Sequence, residues 1–248
     1  MKHDVLAALV AADAEARTVV LVRSLAHGRQ FLVDRGGAHT VQDGRRRRLT
    51  SPPPQALLDR AAAALARDGA QAFDIAGQRY LIQTLSPPPR LFIVGAVHIA
   101  QKLAPMAQLA GYRVVLVDPR PAFASAARFP EVEIIGEWPQ EVLPRLALDR
   151  RSAVVTLSHD AKIDEPALQA GLASEAFYIG ALGSRKNHAR RLERLAASGL
   201  DSAALARIHG PIGLALGGRS PAEIAIAILA QITQARYSTD EPALPEEG

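Results

Sequence analysis

The chain contains no cysteine, and this absence excludes several kinds of site at once. None of its 248 residues is Cys. A disulfide framework, a thiolate metal site and a cysteine nucleophile are therefore ruled out. A protein without disulfides fits a reducing compartment, and we expect the cytoplasm. The chain is long enough to bury about 70% of its unfolded surface, so its core needs no disulfides.

Long apolar runs and aromatic residues are also scarce. No uninterrupted apolar stretch approaches the roughly 20 residues that span a bilayer, so we expect no membrane segment. The first sixteen residues include Asp4, Asp13 and Glu15, and they predict an amphipathic helix and not a signal peptide. Aromatic residues make up only 4% of the chain, which leaves few rings to stack on bases, and we expect no nucleic-acid partner.

Positive charge is in slight excess and is concentrated in two segments. The chain has 29 Lys and Arg against 25 Asp and Glu, a formal net charge of +4. The basic segments are GRRRR, residues 44–48, and SRKNHARR, residues 184–191. The first is typical of a solvated loop or turn, although such a run can also contact nucleic acid.

Two proline runs mark the organisation of the chain, SPPPQ at residues 51–55 and SPPPR at residues 86–90. Proline runs stay extended and cannot enter a helix interior or a central strand. We interpret residues 86–90 as a linker between two domains. Before it, helical spacing and alternating apolar residues predict a small α+β domain over residues 1–85.

Two features of this first domain can be predicted in detail. PQALLDRAAAALARDG, residues 54–69, predicts a helix that Gly69 ends. QAFDIAGQRYLIQTL, residues 71–85, predicts a hairpin with Ala76 and Gly77 at its turn.

After the linker, apolar strands alternate with helices through residues 91–237. The strands are nearly continuous apolar runs, such as RLFIVG at 90–95 and SAVVTLSHD at 152–160, as in a parallel sheet covered on both faces. This alternation with short loops predicts an α/β fold class, with a doubly wound, Rossmann-like parallel sheet.

The end of the chain combines a strongly signalled helix with an acidic tail. Ser220 is the expected N-cap of a helix over residues 220–237, with Pro221 as its first residue and Glu223 as the reciprocal cap. The acidic composition of residues 238–248 predicts disorder.

Ligands bind such sheets beyond the carboxyl ends of the strands, so the residues around these ends form the predicted binding site. They are Gly95, Ala96, Val97 and His98 after the first strand, Asp118 and Arg120 after the second, His159 and Asp160 after the fourth, Gly180, Gly183, Ser184, Arg185 and His188 around the fifth, and His209 and Gly210 farther on.

The loop at Gly95 has features both for and against nucleotide binding. Gly95 can make the tight turn of a nucleotide-binding loop, but Val97 stands where a second glycine would let the backbone approach a pyrophosphate. A β-branched side chain obstructs that approach. Asp118 follows by roughly 20 residues, where an acid would hold a ribose hydroxyl. The loop is therefore either a nucleotide-binding turn or a non-binding turn with Asp118 merely ending a strand.

The segment GALGSRKNHARR, residues 180–191, indicates anion binding. Its glycines and Ser184 precede a helix start, where free N–H groups and the helix dipole attract anions. Arg185, Lys186 and His188 add cationic donors that oppose the dipole, so an anionic ligand such as a phosphate would explain them. A basic, solvated helix face is the alternative, and it suits three later residues better. These are Arg190, Arg191 and Arg194.

Two histidine-containing segments complete the predicted edge. In SHD, Asp160 could orient His159 or take a ligand amine, or else Asp160 or Asp164 caps the next helix. In HGPIG, Gly210 belongs either to a bend that lines the pocket or to a loop that needs positive φ. Without thiols or a helical H-E-x-x-H pair, we predict no protein metal site.

Several segments together resemble the Rossmann domain of the XdhC/CoxI family, the accessory proteins of xanthine dehydrogenase and related molybdenum hydroxylases. They are PPPRLFIVGAVHIAQKLAPMAQLAGYRVVLVDPRPAFA, RFP, SHDAKIDEPALQAGL, AFYIGALGSRKNHARRLERL and RIHGPIGLALGGRSPAEIAIAILAQI. The resemblance covers nearly all of residues 87–232. It is distinctive because the Gly-Ala-Leu-Gly-Ser-Arg and His-Gly-Pro-Ile-Gly segments occur together.

The resemblance implies a chaperone and not an enzyme. Such proteins bind the molybdenum cofactor transiently, shield it while an oxo ligand is exchanged for sulfido, and insert it into the apo-enzyme. The implied partners are a xanthine dehydrogenase-like apo-enzyme and a cysteine desulfurase, and the family implies a homodimer. The alternatives are an NAD(P)-dependent oxidoreductase with bound NAD and a non-catalytic nucleotide-binding module, because fold alone does not decide function.

The sequence departs from the family pattern in two places. The family loop usually reads Gly-Ala-Gly-His, whereas this chain has Val97 at the third position. The N-terminal domain of the family usually carries a GST-P segment and a Gly-Gly-Cys turn, of which only Gly36 and Gly37 are present. A step that depends on that cysteine in relatives is therefore missing here.

Overall fold

The chain divides into two units between Pro87 and Pro88, within the five residues that the sequence predicts as a linker. The structure is a computed structural model, and it describes residues 3–42, 45–66 and 68–238.

The first unit is an antiparallel sheet with a helix on each face. Its elements are α1 (His3–Ala14), β1 (Val19–Ser24), β2 (Gln30–Asp34), β3 (Gly37–Gln42), β4 (Arg45–Arg47), α2 (Gln55–Ala64), β5 (Gly69–Ile75) and β6 (Gln78–Leu85). The strands lie in the order β4-β3-β2-β1-β6-β5. Because successive side chains of a strand point to opposite faces, Val19 and Leu21 pack with α1, whereas Val20 and Val22 pack with α2.

One predicted boundary in this unit is wrong. The helix expected over residues 54–69 ends at Ala64, and Gly69 is the first residue of β5. Gly69 pairs with Thr84 in β6, so this glycine belongs to a strand and does not cap the helix. The predicted hairpin is present, since Ala76 and Gly77 join β5 to β6 with positive φ at both residues, as a two-residue hairpin turn requires.

The first basic segment forms an edge strand and not a solvated loop. Arg45–Arg47 is β4, which pairs with β3 alone. Both oxygens of Asp34 accept hydrogen bonds from the Arg46 guanidinium, at 3.0 and 3.1 Å. Gly44, the first residue of the segment, lies outside the described residues.

The second unit has the predicted α/β fold class with a six-stranded parallel sheet. Its elements are β7 (Arg90–Val94), α3 (His98–Leu109), β8 (Arg113–Val117), β9 (Glu133–Ile135), α4 (Pro139–Val142), a 3₁₀ turn (Leu143–Leu146), β10 (Ser152–Thr156), α5 (Ala161–Leu172), β11 (Tyr178–Ala181), α6 (Arg185–Ala197), α7 (Ser202–Leu205), β12 (Ile208–His209) and α8 (Pro221–Ser238). The strand order is β12-β11-β10-β7-β8-β9, with all pairs parallel. This is the Rossmann order, which reverses between β7 and β10.

Both faces of this sheet are covered, as the apolar strands predict. Leu91 and Ile93 of β7 pack on the side of α3 and α8. Phe92 and Val94 pack on the side of α5 and α6. Neither these helices nor any other in the described part of the chain has the length and apolarity to cross a membrane.

The ends of the elements follow local hydrogen bonding that the sequence shows only in part. The capping box of α8 is confirmed, because the Ser220 N–H donates to Glu223 and the Glu223 N–H donates to the Ser220 hydroxyl. The strand β12 is only two residues long, too short to give an alternating pattern, and was not predicted. The predicted disordered tail lies outside the described residues except for Ser238, which ends α8.

Gly95 lies in close contact with the loop that follows β10, at the point where the strand order reverses. It directly follows β7, with a φ of +105°, beside the loop that follows β10. A Cβ atom placed on Gly95 would lie 2.7 Å from the backbone nitrogen of Ser158 and 2.9 Å from its Cα. Only glycine combines this backbone conformation with so short a separation.

We expect Gly95→Ala to lower the free energy of unfolding by roughly 2–5 kcal/mol, because it adds overlap with Ser158 to an unfavourable φ. Gly111→Ala is the matched control, since Gly111 also has a positive φ (+83°) but a Cβ there would meet nothing within 4 Å. That variant should lose only about 1–2 kcal/mol. Urea unfolding measures both, and equal losses would contradict the close contact.

Candidate functional site

Most of the predicted site residues lie in loops or helix starts at the carboxyl edge of the parallel sheet. They are Gly95, Ala96, Val97 and His98 after β7, Asp118 and Arg120 after β8, His159 and Asp160 after β10, Gly183, Ser184, Arg185 and His188 after β11, and Gly210 after β12. Gly180 and His209 lie inside β11 and β12. This is the edge at which ligands bind in sheets of this class.

The loop after β7 is held down by the protein itself. Ala96 is fully buried, and its N–H donates to the carboxylate of Asp118 at 2.7 Å. Val97 is the N-cap of α3, with extended backbone and a half-buried side chain that packs against the core. His98 is exposed at the first position of the helix.

The carboxylate of Asp118 is fully buried and fully engaged. Besides the Ala96 N–H, it accepts hydrogen bonds from the backbone N–H of Arg120 and from two nitrogens of the Arg120 guanidinium, at 2.7–3.0 Å. Burial raises the pKa of Asp118, but the hydrogen bonds and charge of Arg120 outweigh it, so the pKa lies below its ordinary value. Asp118 therefore ties the loop after β7 to the loop after β8.

The loop after β10 holds a second buried carboxylate. Oδ1 of Asp164, in the first turn of α5, accepts from the Ser158 hydroxyl at 2.7 Å and from the Ser158 N–H at 3.2 Å. Asp160 is the N-cap of α5 and accepts from the Lys162 N–H, so the helix-capping alternative applies to Asp160 and not to Asp164. His159, between Ser158 and Asp160, is exposed with a φ of +65°, a strained backbone for a residue other than glycine.

A cavity of about 200 Å³ opens between α5 and α6, and we call it the α5–α6 cavity. Its lining residues are His159, Ala161, Asp164, Glu165, Leu182, Asn187, Arg190, Arg191 and Arg194. Arg194 is paired with Glu165 at 2.6 Å. Arg190 is exposed and has no ion-pair partner in the described part of the chain.

Arg191 is the site residue that the sequence reasoning placed wrongly. It was expected on a solvated face of α6, but it is only 6% exposed. Its Nη2 donates to the carbonyl of Leu182 at 2.9 Å and lies 4.0 Å from Oδ2 of Asp164. Helical spacing could have indicated its burial. Arg191 lies four residues before the buried Leu195 and therefore on the same face of α6.

The predicted anion site lies at the start of α6. Ser184 caps the helix by accepting the Asn187 N–H, which leaves the N–H groups of Arg185 and Lys186 in the first turn without helical acceptors. Both side chains are exposed, and neither has an ion-pair partner among the residues that the structure describes. Arg185 also borders a second cavity of about 320 Å³, the α6–α8 cavity. Its other lining residues are Pro211–Gly218, Ile224 and Ala227.

The two predicted histidines near β12 are packed into the protein. The ring of His188 lies against Gly210, where a Cβ atom would overlap it. The ring of His209 stacks on Tyr178 with centroids 4.7 Å apart. Burial lowers the pKa of both imidazoles, and the charge of Arg191 lowers that of His188 further. Both are therefore neutral packing elements near pH 7.

The described residues contain no group of three or more His, Asp or Glu side chains that could together hold a metal ion. The described groups that can bind a ligand at this edge include Arg and Lys cations, first-turn amides of α6 and the carboxylate of Asp164. These groups suit an anionic or hydrogen-bonding organic ligand.

Comparisons with known proteins give the family context of this edge. A family model described as the XdhC Rossmann domain matches residues 91–232. A probable xanthine dehydrogenase component of Bacillus subtilis (strain 168) is 32% identical over 156 residues, which cover 62% of this chain and 45% of that protein. The molybdenum cofactor insertion chaperone PaoD of Escherichia coli (strain K12) is 31% identical over 155 residues, 62% of this chain and 42% of that protein. The chain thus spans less than half the length of these curated relatives.

The fold of the chain is also similar to that of a solved structure. A crystal structure of a xanthine dehydrogenase from Bacillus halodurans is similar with a TM-score of 0.72 and 24% sequence identity, over 97% of this chain and 66% of that one. At this identity the similarity shows the fold alone.

We expect Asp118→Asn to lower the free energy of unfolding at pH 7 by about 2 kcal/mol, because charged hydrogen bonds to Arg120 are lost. The pKa of Asp118 is lowered in the folded protein. The wild-type advantage is therefore complete above the ordinary carboxyl pKa of about 4, and it is lost as pH falls through the lowered pKa.

Urea unfolding of both proteins between pH 7 and pH 3 measures this difference. Asp59→Asn, which changes an exposed carboxylate of α2, is the control. A stability difference that does not shrink on acidification would show that the charge of Asp118 is not responsible.

Proposed function

This chain belongs to the XdhC family, and from that premise we propose that it binds the molybdenum cofactor transiently and inserts it into a molybdenum hydroxylase of the xanthine dehydrogenase type. The name of PaoD as a molybdenum cofactor insertion chaperone supports this role. The name of the B. subtilis relative supports a hydroxylase of this type. The family match spans residues 91–232, which include every residue of the predicted ligand edge.

The observation that carries the proposal is the cationic start of α6. Arg185 and Lys186 lie in its first turn, where they oppose the helix dipole and do not stabilise the helix. An anion bound there would gain from both cations, from the free first-turn N–H groups and from the dipole. The molybdenum cofactor carries a terminal phosphate or a nucleotide tail, so we assign its phosphate to this position.

The groups present fit the organic part of such a cargo and not its metal. The chain has no cysteine, and the described residues include no cluster of metal-ligating side chains. Phosphate binding at α6 and pterin binding in a neighbouring cavity would hold the cofactor while its metal stays free of protein ligands. Such a complex is reversible, as insertion into an apo-enzyme requires, and it involves no turnover.

The remaining parts of the family expectation stay predictions. They are a cysteine desulfurase as sulfur donor and a homodimer. The cytoplasmic location, expected from the absence of cysteine, also stays a prediction. An NAD(P)-linked reaction has less support, because the carboxylate of Asp118 is already bound by Arg120 and Ala96 and is not free for a ribose. NAD and a simple nucleotide therefore enter the test as competitors.

We expect the purified protein to bind molybdenum cofactor in an anaerobic titration, more tightly than it binds NAD or CMP. Arg185→Ala should raise the Kd about 10- to 100-fold, the loss of one charge-assisted hydrogen bond of about 1.5–3 kcal/mol. Arg150→Ala is the matched control, because Arg150 is exposed before β10, at the opposite edge of the sheet.

Transfer to a molybdenum-free hydroxylase, read as recovered hydroxylase activity, tests delivery. Clear NAD binding without cofactor binding would overturn the chaperone proposal in favour of a nucleotide-binding protein. An unchanged Kd in Arg185→Ala would remove α6 from the phosphate site.

A further inference from the structure

Two charged side chains at the wall of the α5–α6 cavity are buried with unused hydrogen-bonding atoms. The side chain of Asp164 is 2% exposed and that of Arg191 is 8% exposed. Oδ2 of Asp164 and Nη1 of Arg191 have no hydrogen-bond partner among the described residues. A buried polar group without a partner is costly, and more so when it is charged. A ligand whose polar groups reach both atoms would remove this cost.

The two side chains do not satisfy each other because each is held elsewhere. Asp164 is tied through Oδ1 to the hydroxyl and N–H of Ser158. Arg191 is tied through Nη2 to the carbonyl of Leu182. The closest approach across the pair, Nη2 to Oδ2, is 4.0 Å, longer than a hydrogen bond. The wall thus keeps one acceptor and one donor without hydrogen-bond partners among the described residues, on side chains whose Nη2 and Oδ2 atoms lie 4.0 Å apart.

The charges around the pair argue against a simple ion as the occupant. A phosphate or carboxylate would satisfy Arg191 but would place negative charge against the unpaired oxygen of Asp164. A cation would satisfy Asp164 but would meet Arg190 and Arg191, both at the same cavity wall. A neutral group that offers a donor and an acceptor side by side satisfies both atoms.

We propose that the α5–α6 cavity binds the lactam edge of a fused pyrimidinone ring, such as a pterin or a guanine. In this arrangement the ring N–H donates to Oδ2 of Asp164, and Nη1 of Arg191 donates to the adjacent ring carbonyl. Asn187 and Arg190 line the same cavity and are available to the rest of the ligand. The inference rests on the proposed function in taking the ring to be that of the cofactor, whose phosphate lies at the start of α6.

Isothermal titration calorimetry of the full chain with free pterin tests the inference without a metal or a phosphate. The matched ligand is 3-methylpterin, in which a methyl group replaces the hydrogen of the ring N–H beside the carbonyl. We expect 3-methylpterin to bind at least tenfold more weakly than pterin. Guanosine and 1-methylguanosine form a second pair, and the pair that shows this difference identifies the source of the ring.

Asp164→Asn should raise the Kd for pterin at least tenfold, because the side-chain amide can still accept from Ser158 while it presents N–H groups where Oδ2 stands. Glu175→Gln is the matched control, since Glu175 is exposed, is paired with Arg150 and lies before β11, at the edge of the sheet opposite the cavity. It should leave the Kd within twofold. Circular dichroism and urea unfolding of both variants report whether the fold is kept.

The inference is overturned if pterin and guanosine bind no better than their methylated forms, if neither binds, or if Asp164→Asn leaves the Kd unchanged. The comparison of ligands uses the wild-type chain, so it stands even where a variant does not fold. Lactam binding that depends on Asp164, in a protein that does not bind molybdenum cofactor, would overturn the proposed function and keep this inference. Cofactor binding that depends on Arg185, without lactam binding, would do the reverse.

Discussion

The contact between Gly95 and Ser158 is the constraint on which the ligand edge depends. It lies where the strand order reverses, so it joins the loop after β7 to the loop after β10. Since a Cβ atom on Gly95 would overlap the Ser158 backbone, the two loops can approach this closely only with glycine at this position. Ser158 in turn donates its hydroxyl and N–H to the carboxylate of Asp164 and so orients it.

The pKa values of two buried carboxylates near this contact, Asp118 and Asp164, are shifted in opposite directions. Asp118 has a guanidinium and two backbone N–H groups in direct contact, so its pKa is lowered although burial opposes the change. For Asp164, the effect of burial is larger than the opposing effects of the Ser158 hydrogen bonds and the charge of Arg191, so its pKa is raised. Asp118 connects the loops after β7 and β8 through its hydrogen bonds, whereas Oδ2 of Asp164 has no hydrogen-bond partner among the described residues. The positions of their arginines explain the contrast, because Arg120 reaches Asp118 whereas Leu182 holds Arg191 away from Asp164.

The architecture of the second unit can be predicted because its sequence patterns extend over many residues. For the site, the sequence predicts the edge of the sheet at which it lies but not the contacts between its side chains. Continuous apolar strands that alternate with helices specify a covered parallel sheet, and its carboxyl edge follows from topology. The two-residue strand β12 carries no such pattern, and only its pairing with β11 defines it. Sequence locates Gly95 at a tight turn, but it does not reveal that the turn lies against Ser158. From sequence, Arg191 is expected to be solvated because it is basic. Its burial depends on the Leu182 carbonyl and the Asp164 carboxylate, which other segments place beside it, and sequence does not show this.

The position of α6 explains how one helix could hold a ligand with two chemically different ends. In its first turn Arg185 borders the α6–α8 cavity and Lys186 is exposed, whereas Arg191, nearly two turns later, belongs to the wall of the α5–α6 cavity. A rigid helix fixes the distance between the two groups, so an anionic end and a neutral lactam end must both match it. The lactam contact also recovers the cost of the orphaned donor and acceptor, which a simple anion would not remove. In this proposed arrangement, selectivity comes from the Asp164–Arg191 wall, and the cationic start of α6 adds affinity for a phosphate.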